Sequence, residues 1–147
     1  MALTTTMRAG TFAGRGTEGR ALHRALWTLQ GLLGVLFLAT GLMKLATPLD
    51  VLMAQMQLPL PGLFVRFLGL CELSGALGLV LPGLLRILTG LTPLAASGLV
   101  VIMTGATVIT LVVGGGATAL MPLIVGVLAA GVAYGRVRLR PLASRRV

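Results

Sequence analysis

The stretch between Arg86 and Arg136 decides the fold. Its residues 87–135 are ILTGLTPLAASGLVVIMTGATVITLVVGGGATALMPLIVGVLAAGVAYG, with no Asp, Glu, Lys, Arg or His. A transmembrane helix needs about 20 predominantly apolar residues, so this stretch is long enough for two. The three glycines at 114–116 mark a turn between them. We therefore predict membrane-spanning helices over residues 91–113 and 118–134.

The composition of the whole chain is typical of a protein solvated by lipid. Of its 147 residues, 56% are hydrophobic and 10% are charged, and the mean hydropathy is +1.02. These values exclude an ordinary soluble domain. The net charge of +9 does not indicate nucleic-acid binding, because the arginines lie in the two tails and at the ends of apolar segments rather than on one basic face.

Two further apolar stretches complete the predicted architecture. Spans over residues 25–46 and 62–85 make the fold an all-α membrane protein, a four-transmembrane-helix bundle with a short interfacial helix between spans one and two. The transmembrane domain covers residues 21–140. Residues 1–20 are rich in Gly, Thr and Arg, so we expect a disordered basic cytoplasmic tail there. Residues 141–147 form a second basic cytoplasmic tail.

The first span is expected to stay in the protein as an anchor. Its apolar run from Ala25 to Met43 is longer than the core of a usual signal peptide. Lys44 and Thr47-Pro48 follow this run, where a cleavage site would need small residues.

The interfacial helix is predicted over residues 48–57. Thr47 is placed to cap its N-terminus, Pro48 suits the first helical position, and Asp50 can complete a capping box. Apolar residues recur at helical spacing along one face: Leu49, Leu52, Met53 and Met56. An amphipathic helix of this kind is expected to lie in the outer membrane interface.

The distribution of basic residues predicts the orientation of the bundle. Four arginines precede span one, Arg86 lies between spans two and three, and five arginines follow span four, beginning with Arg136. The loops at residues 47–62 and 114–116 have none. Lys and Arg favour the cytoplasmic side, so both termini are predicted to be cytoplasmic. An even number of spans gives the same side for both termini.

Small and polar residues in the spans indicate contacts between helices. Close approach of membrane helices depends on small side chains. Three sets have suitable spacing: Cys71 with Gly75 and Gly78, Gly98 with Gly105, and Gly126 with Ala130. Gln30, an amide within span one, is expected to bridge helices. We predict a compact bundle without assigning particular helix pairs.

Glu72 is the first candidate functional residue. It lies about 15 Å along the helix axis from Gly62 at 1.5 Å per residue, near the bilayer midplane. An acid at that depth is costly and usually faces a cavity or a partner. Two interpretations stay open: a structural bond or ion pair between helices, and a functional group.

Lys44 is the predicted partner of Glu72. Helical side chains lean toward the N-terminus of their helix. Span one runs outward, so Lys44 leans into the membrane, and span two runs inward, so Glu72 leans outward. The two side chains therefore lean toward each other. The alternative is that Lys44 reverses this lean and reaches the outer headgroups.

Arg66 completes the set of candidate ligand-binding or ion-pair residues. It lies about one turn inside span two and leans outward, so we expect it to snorkel to the headgroups. Alternatively, it adds positive charge above Glu72. Lys44, Arg66 and Glu72 would then form an outward-opening polar pocket that attracts an anion or a polar headgroup.

Catalytic residues and metal ligands cannot be assigned from the sequence. It has no nucleotide-binding loop, nucleophile triad or metal-binding motif. The lone cysteine, Cys71, excludes an intramolecular disulfide and a CxxC redox pair. His23 would need further ligands to bind haem or zinc. No cofactor is evident, and the chain alone is not expected to be an enzyme.

Four short motifs occur in order within residues 25–136. They are GLMKL (41–45) at the end of span one, CELSGALGL (71–79) around Glu72, LAASGL (94–99) at the start of span three, and YGR (134–136). Together with the span count, they resemble the DoxX-like family of small four-helix membrane proteins. The resemblance implies a bacterial inner-membrane protein, whose relatives include a quinone-reducing thiosulfate oxidoreductase subunit and members of oxidant-defence complexes.

Three functional hypotheses follow. The leading one is an accessory membrane subunit that binds a lipid-soluble molecule, such as quinone or lipid, or a partner protein of a membrane redox complex. The alternative is a small transporter or permeation module that uses Glu72 as a proton or ion relay. The third is an enzyme subunit whose electron chemistry comes from another chain. Partners are the lipid bilayer and such a redox protein, and a homo-oligomer stays open.

Overall fold

The part of the protein that the structure describes is mainly helical and contains no strands. The computed structural model describes residues 10–56, 58, 60–139 and 142, with side chains from residue 19 onward. Its helices are α1 (Gly10–Ala46), α2 (Leu49–Ala54), α3 (Gly62–Leu85), α4 (Leu91–Val112) and α5 (Leu120–Tyr134). A 3₁₀ turn, Gly116–Ala119, precedes α5, and a π-helical segment, Gly135–Leu139, follows it.

The predicted four-span architecture is confirmed. Within the described residues, four segments are long and apolar enough to cross a membrane: Gly19–Ala46, Gly62–Leu85, Leu91–Val112 and Gly116–Leu139. In each segment, at most 39% of an apolar stretch of 18 residues is buried inside the protein. Most apolar side chains therefore point outward, as expected where the surroundings are hydrocarbon. The short helix predicted between spans one and two is α2.

The first helix is longer than predicted. It begins at Gly10, so the prediction of disorder is wrong for residues 10–20, whereas residues 1–9 lie outside the described part of the chain. The reason is the cooperativity of helix formation: once a helix is nucleated, each further residue adds a hydrogen bond at low cost. The membrane span nucleates α1, and the helix continues toward the N-terminus. Of the predicted C-terminal tail, 141–147, only Leu142 is described.

The predicted capping box of α2 is wrong. Pro48 is the N-cap residue rather than the first helical residue, and no side chain bonds to the cap. Its carbonyl oxygen accepts a hydrogen bond from Leu52 N at 3.0 Å. Because the helix begins one residue later than predicted, Thr47 lies outside the cap position. Of the predicted apolar face, Leu52 is the buried residue.

Helices α1 and α3 pack most closely at two glycines. A Cβ atom added to Gly41 would lie 2.9 Å from both Gly69 O and Leu73 N. A Cβ atom added to Gly69 would lie 3.2 Å from Gly41 O. Gly41 therefore cannot carry a side chain at this spacing, since the opposing atoms belong to the backbone, and a side chain at Gly69 would be a tight fit.

This contact gives a prediction for stability. We expect Gly41→Ala to destabilise the protein by about 2 kcal/mol, because overpacking against backbone atoms forces the two helices apart. Gly31→Ala, in the same helix, is the control, since a Cβ atom there meets nothing within 4 Å. Thermal unfolding in detergent measures both. Equal unfolding temperatures for the two variants would contradict the close contact.

Small residues also join α3 to α4 and α4 to α5. A Cβ atom on Gly75 would lie 2.6 Å from Leu99, one on Gly78 would lie 2.9 Å from Ala95, and one on Gly126 would lie 3.1 Å from Met103. By contrast, a Cβ atom on Gly98 or Gly105 would meet nothing within 4 Å. Two of the three predicted sets of small residues therefore contain a helix contact.

The bundle has two distinct ends. The termini end is where α1 begins and α5 ends, and the opposite end carries Lys44, α2 and the turn at Gly114–Gly116. Gly114, with φ of +79°, supplies the left-handed conformation which that turn requires. A buried apolar cluster separates the two ends: Leu33, Phe37, Ala76, Leu79, Ala96, Leu99, Ala129 and Val132.

Candidate ligand-binding site

An ion pair between Lys44 and Glu72 lies toward the opposite end of the bundle. Lys44 Nζ lies 2.8 Å from Glu72 Oε2 and 3.0 Å from Oε1, so the ammonium donates to both carboxylate oxygens. The Glu72 side chain is 4% exposed, and the Lys44 side chain is 22% exposed. Glu72 is thus enclosed by the protein, while Lys44 retains an open side.

The glycines of α1 and α3 explain how the pair can form. Lys44 lies in the last turn of α1, one turn beyond Gly41. A Cβ atom on Gly69 would lie 3.0 Å from Lys44 Cβ, so the absence of a side chain at 69 gives the lysine stem room against α3. From there the stem reaches Glu72, one turn further along α3.

The pair reduces the cost of placing two charges within a span. An isolated ammonium or carboxylate in hydrocarbon is expensive, and the mutual attraction offsets part of that cost. The predicted contact between Lys44 and Glu72 is present in the structure.

Arg66 has different partners from those predicted. Its Nη1 atom donates to the carbonyl oxygens of Lys44 and Leu45, and Nη2 donates to Thr47 O at 2.8 Å. The last carbonyls of a helix lack intrahelical donors and carry partial negative charge, which a guanidinium satisfies. Arg66 therefore caps the C-terminal end of α1, a role that the sequence does not predict.

A cavity of about 770 Å³ lies beside the ion pair, between α3 and α4 and next to the segment that follows α2. Its walls are mostly apolar. They consist of Lys44, Gln55, Met56, Leu58, Leu60, Phe64, Phe67, Leu68, Glu72, Val101, Ile102, Met103, Gly105, Ala106, Ile109, Thr110, Val113 and Thr118. Arg66 is not among them, so the structure brings only Lys44 and Glu72 together in this cavity.

The hydroxyls in the cavity wall already have partners. Thr110 Oγ1 donates to Ala106 O and Thr118 Oγ1 donates to Gly115 O, both at 2.8 Å. Back-bonding of this kind is usual for threonine in membrane helices. The ion pair is therefore the charged feature that a molecule in the cavity meets. Apart from the amide of Gln55, the remaining wall offers it mostly apolar surface.

A second polar cluster lies at the termini end, where the sequence analysis identifies only a bridging Gln30. Gln30 Nε2 donates to Leu79 O at 2.6 Å, and its Oε1 accepts a hydrogen bond from Arg136 Nε. Arg136 is 2% exposed, and its Cζ lies 5.3 Å from the Trp27 ring centroid. The sequence places Arg136 at the end of span four and gives no sign that its side chain is buried. The sequence signal for this cluster is Gln30 itself, an amide within a span.

The described features agree with a known family. The profile of the DoxX-like family matches residues 28–132, more than two thirds of the chain, and includes both Lys44 and Glu72. No curated protein and no solved structure matches the chain significantly. The family match covers spans two and three completely and most of spans one and four. The chain therefore belongs to the DoxX-like family.

Proposed function

We propose that the protein is an accessory membrane subunit that binds a lipid-soluble molecule in the cavity between α3 and α4. The observation that carries the proposal is the Lys44–Glu72 pair in the wall of a largely apolar cavity of about 770 Å³. A site of this size and character is typical for a small molecule that has a polar end and an apolar body.

The ion pair supplies the groups that would hold the polar end. Lys44 donates hydrogen bonds, and its partly exposed ammonium can turn one of them to a carbonyl or hydroxyl oxygen of the ligand. Glu72 accepts hydrogen bonds from a ligand hydroxyl. A quinone fits this description, because its head has carbonyl oxygens and its tail is apolar. Electron chemistry would then come from a partner protein of a membrane redox complex.

The proposal includes the location of the site. The arginines that precede the apolar part of α1 and those that follow α5 favour the cytoplasm for both termini. The cavity would then open toward the outer half of a bacterial cytoplasmic membrane, and the ligand would enter from the lipid phase.

A tryptophan reporter tests the binding of quinone. Trp27 is the only tryptophan and lies at the termini end, away from the cavity. The double variant Trp27→Phe, Phe67→Trp places the only indole in the cavity wall, since Phe67 lines the cavity. In nanodiscs, we expect a short-chain ubiquinone analogue to quench this indole with saturation. Wild-type protein, whose indole is remote, is the control. Unsaturable quenching of equal size in both proteins would contradict the proposal.

Transport of protons or ions through Glu72 is the alternative function. The packing of the bundle argues for ligand binding over this alternative. Ala76 and Leu79 follow Glu72 on α3 toward the termini end, and both are buried in the apolar cluster with Phe37. A proton relay needs polar groups or water beyond Glu72. Proton flux into liposomes that is lost in Glu72→Gln would support transport over ligand binding.

A further inference from the structure

The cluster at the termini end contains a buried charge with unused donors. Arg136 Nη1 and Nη2 are both buried and have no hydrogen-bond partner among the residues that the structure describes. Only Nε is engaged, by Gln30. A guanidinium has five N–H donors, of which four belong to the two Nη atoms. Four of the five N–H donors of Arg136 therefore have no acceptor among the described residues.

Acidic side chains do not neutralise this charge within the described part of the chain. The protein has three acidic residues. Glu72 binds Lys44, and Asp50 is exposed in α2 at the opposite end. Glu18 lies nine residues before Trp27 on α1, about 13.5 Å along the helix axis at 1.5 Å per residue. The Trp27 ring attracts the cation but accepts no strong hydrogen bond. A buried guanidinium in this state is costly unless an anion accompanies it.

Thr92 provides a second unused donor at the same end. The other hydroxyls of α4 each donate to the carbonyl four residues back: Ser97, Thr104, Thr107 and Thr110. Thr92 lies in the first turn of α4, is fully buried, and its Oγ1 has no partner among the described residues. Helix α4 contacts the π-helical segment that carries Arg136.

The local backbone explains why Arg136 points inward. A Cβ atom on Gly135 would lie 2.6 Å from Leu26, so glycine lets the π-helical segment approach α1 closely. This approach directs Arg136 to Gln30 and over Trp27. Single turns of π-helix occur frequently at functional sites, because they redirect a side chain without ending the helix.

We propose that Arg136 binds a phosphate group at the termini end, with Thr92 as an additional donor. The two Nη atoms of a guanidinium form a fork that matches two oxygens of a phosphate. Trp27 and Tyr134 are typical of the headgroup level of a membrane, where phospholipid phosphates are concentrated. Basic pockets between membrane helices bind anionic headgroups. A phospholipid headgroup and inorganic phosphate share this chemistry, and the site is independent of the cavity beside Lys44.

Phosphorus analysis of the purified full-length protein tests the proposal. Because the Nη atoms are buried, a phosphate reaches or leaves them only when the surrounding side chains move apart. A bound phosphate therefore exchanges slowly and should survive washing with detergent. We expect the wild-type protein to retain more phosphate than Arg136→Gln, by about one phosphate group per chain. Arg138→Gln is the matched control, since Arg138 lies in the same π-helical segment and is exposed. Extraction with chloroform and methanol separates lipid phosphorus from inorganic phosphate and identifies the source.

A second measurement covers the case in which Arg136→Gln does not fold. Arg136→Lys keeps the charge but replaces the fork with a single ammonium, and Thr92→Val keeps the shape but removes the hydroxyl. We expect Arg136→Lys to weaken phosphate retention by about tenfold and Thr92→Val by less. Equal phosphorus in wild type, Arg136→Lys and Arg136→Gln would overturn the proposal, as would a carboxylate of a partner protein found at Arg136.

Discussion

Lys44→Met is expected to destabilise the folded protein by about 3 kcal/mol, because it leaves the Glu72 carboxylate buried without a partner. Glu72 is 4% exposed, so it cannot turn to water or to headgroups. Glu72→Gln is expected to cost less, since Lys44 is 22% exposed and its ammonium can turn outward. Unfolding of the detergent-solubilised protein measures both values.

The double variant decides whether the two residues act as a pair. The double variant has neither charge, so no charge is left buried without a partner. Its free energy of unfolding should therefore be partly restored relative to Lys44→Met. Coupling of about 1 kcal/mol would be in the usual range for polar contacts between membrane helices. A matched control pairs Lys44→Met with Asp50→Asn, an exposed acid of α2. Strictly additive effects for Lys44 and Glu72 would contradict the pairing.

Gly105→Leu is expected to weaken ligand binding in the cavity by at least about tenfold, because the leucine side chain would occupy space that the ligand needs. Gly105 lines the cavity, and a Cβ atom there meets nothing within 4 Å. The substitution should therefore fill the cavity without displacing the backbone. Saturation of the fluorescence quenching in the Trp27→Phe, Phe67→Trp protein measures the affinity.

Gly98→Leu is the control for this steric effect. Gly98 lies in the same helix and is equally open, but it does not line the cavity. Both substitutions raise helix propensity to the same extent, so any shared change in stability cancels in the comparison. Unchanged affinity in Gly105→Leu, or an equal loss in both variants, would show that the ligand binds elsewhere.

The sequence predicts the spans well because hydropathy and length are local properties. The start of α3 follows from Pro61, which is its N-cap residue, and its length follows from its apolar content. The proximity of Lys44 and Glu72 follows from helix direction, since antiparallel helices give their side chains opposite lean. Neither inference requires knowledge of how the helices pack.

The features that the sequence does not predict depend on tertiary contacts. Arg66 donates to backbone carbonyls at the end of α1. No sequence pattern predicts where the free carbonyls of a neighbouring helix lie. Arg136 follows a span and precedes further arginines, so the distribution of charge indicates an exposed tail. Its burial depends on the close approach of Gly135 to Leu26, which is known only from the structure.

The capping of α1 by Arg66 affects how strongly a ligand binds in the cavity beside Lys44. Arg66 binds the carbonyl oxygen of Lys44 itself, while Glu72 binds the lysine ammonium, so α3 fixes both the backbone and the side chain of this residue. A lysine side chain otherwise loses about 2 kcal/mol of rotamer entropy when it is immobilised. Here folding has already immobilised it. The ammonium is therefore preorganised, and a ligand binds without ordering it again.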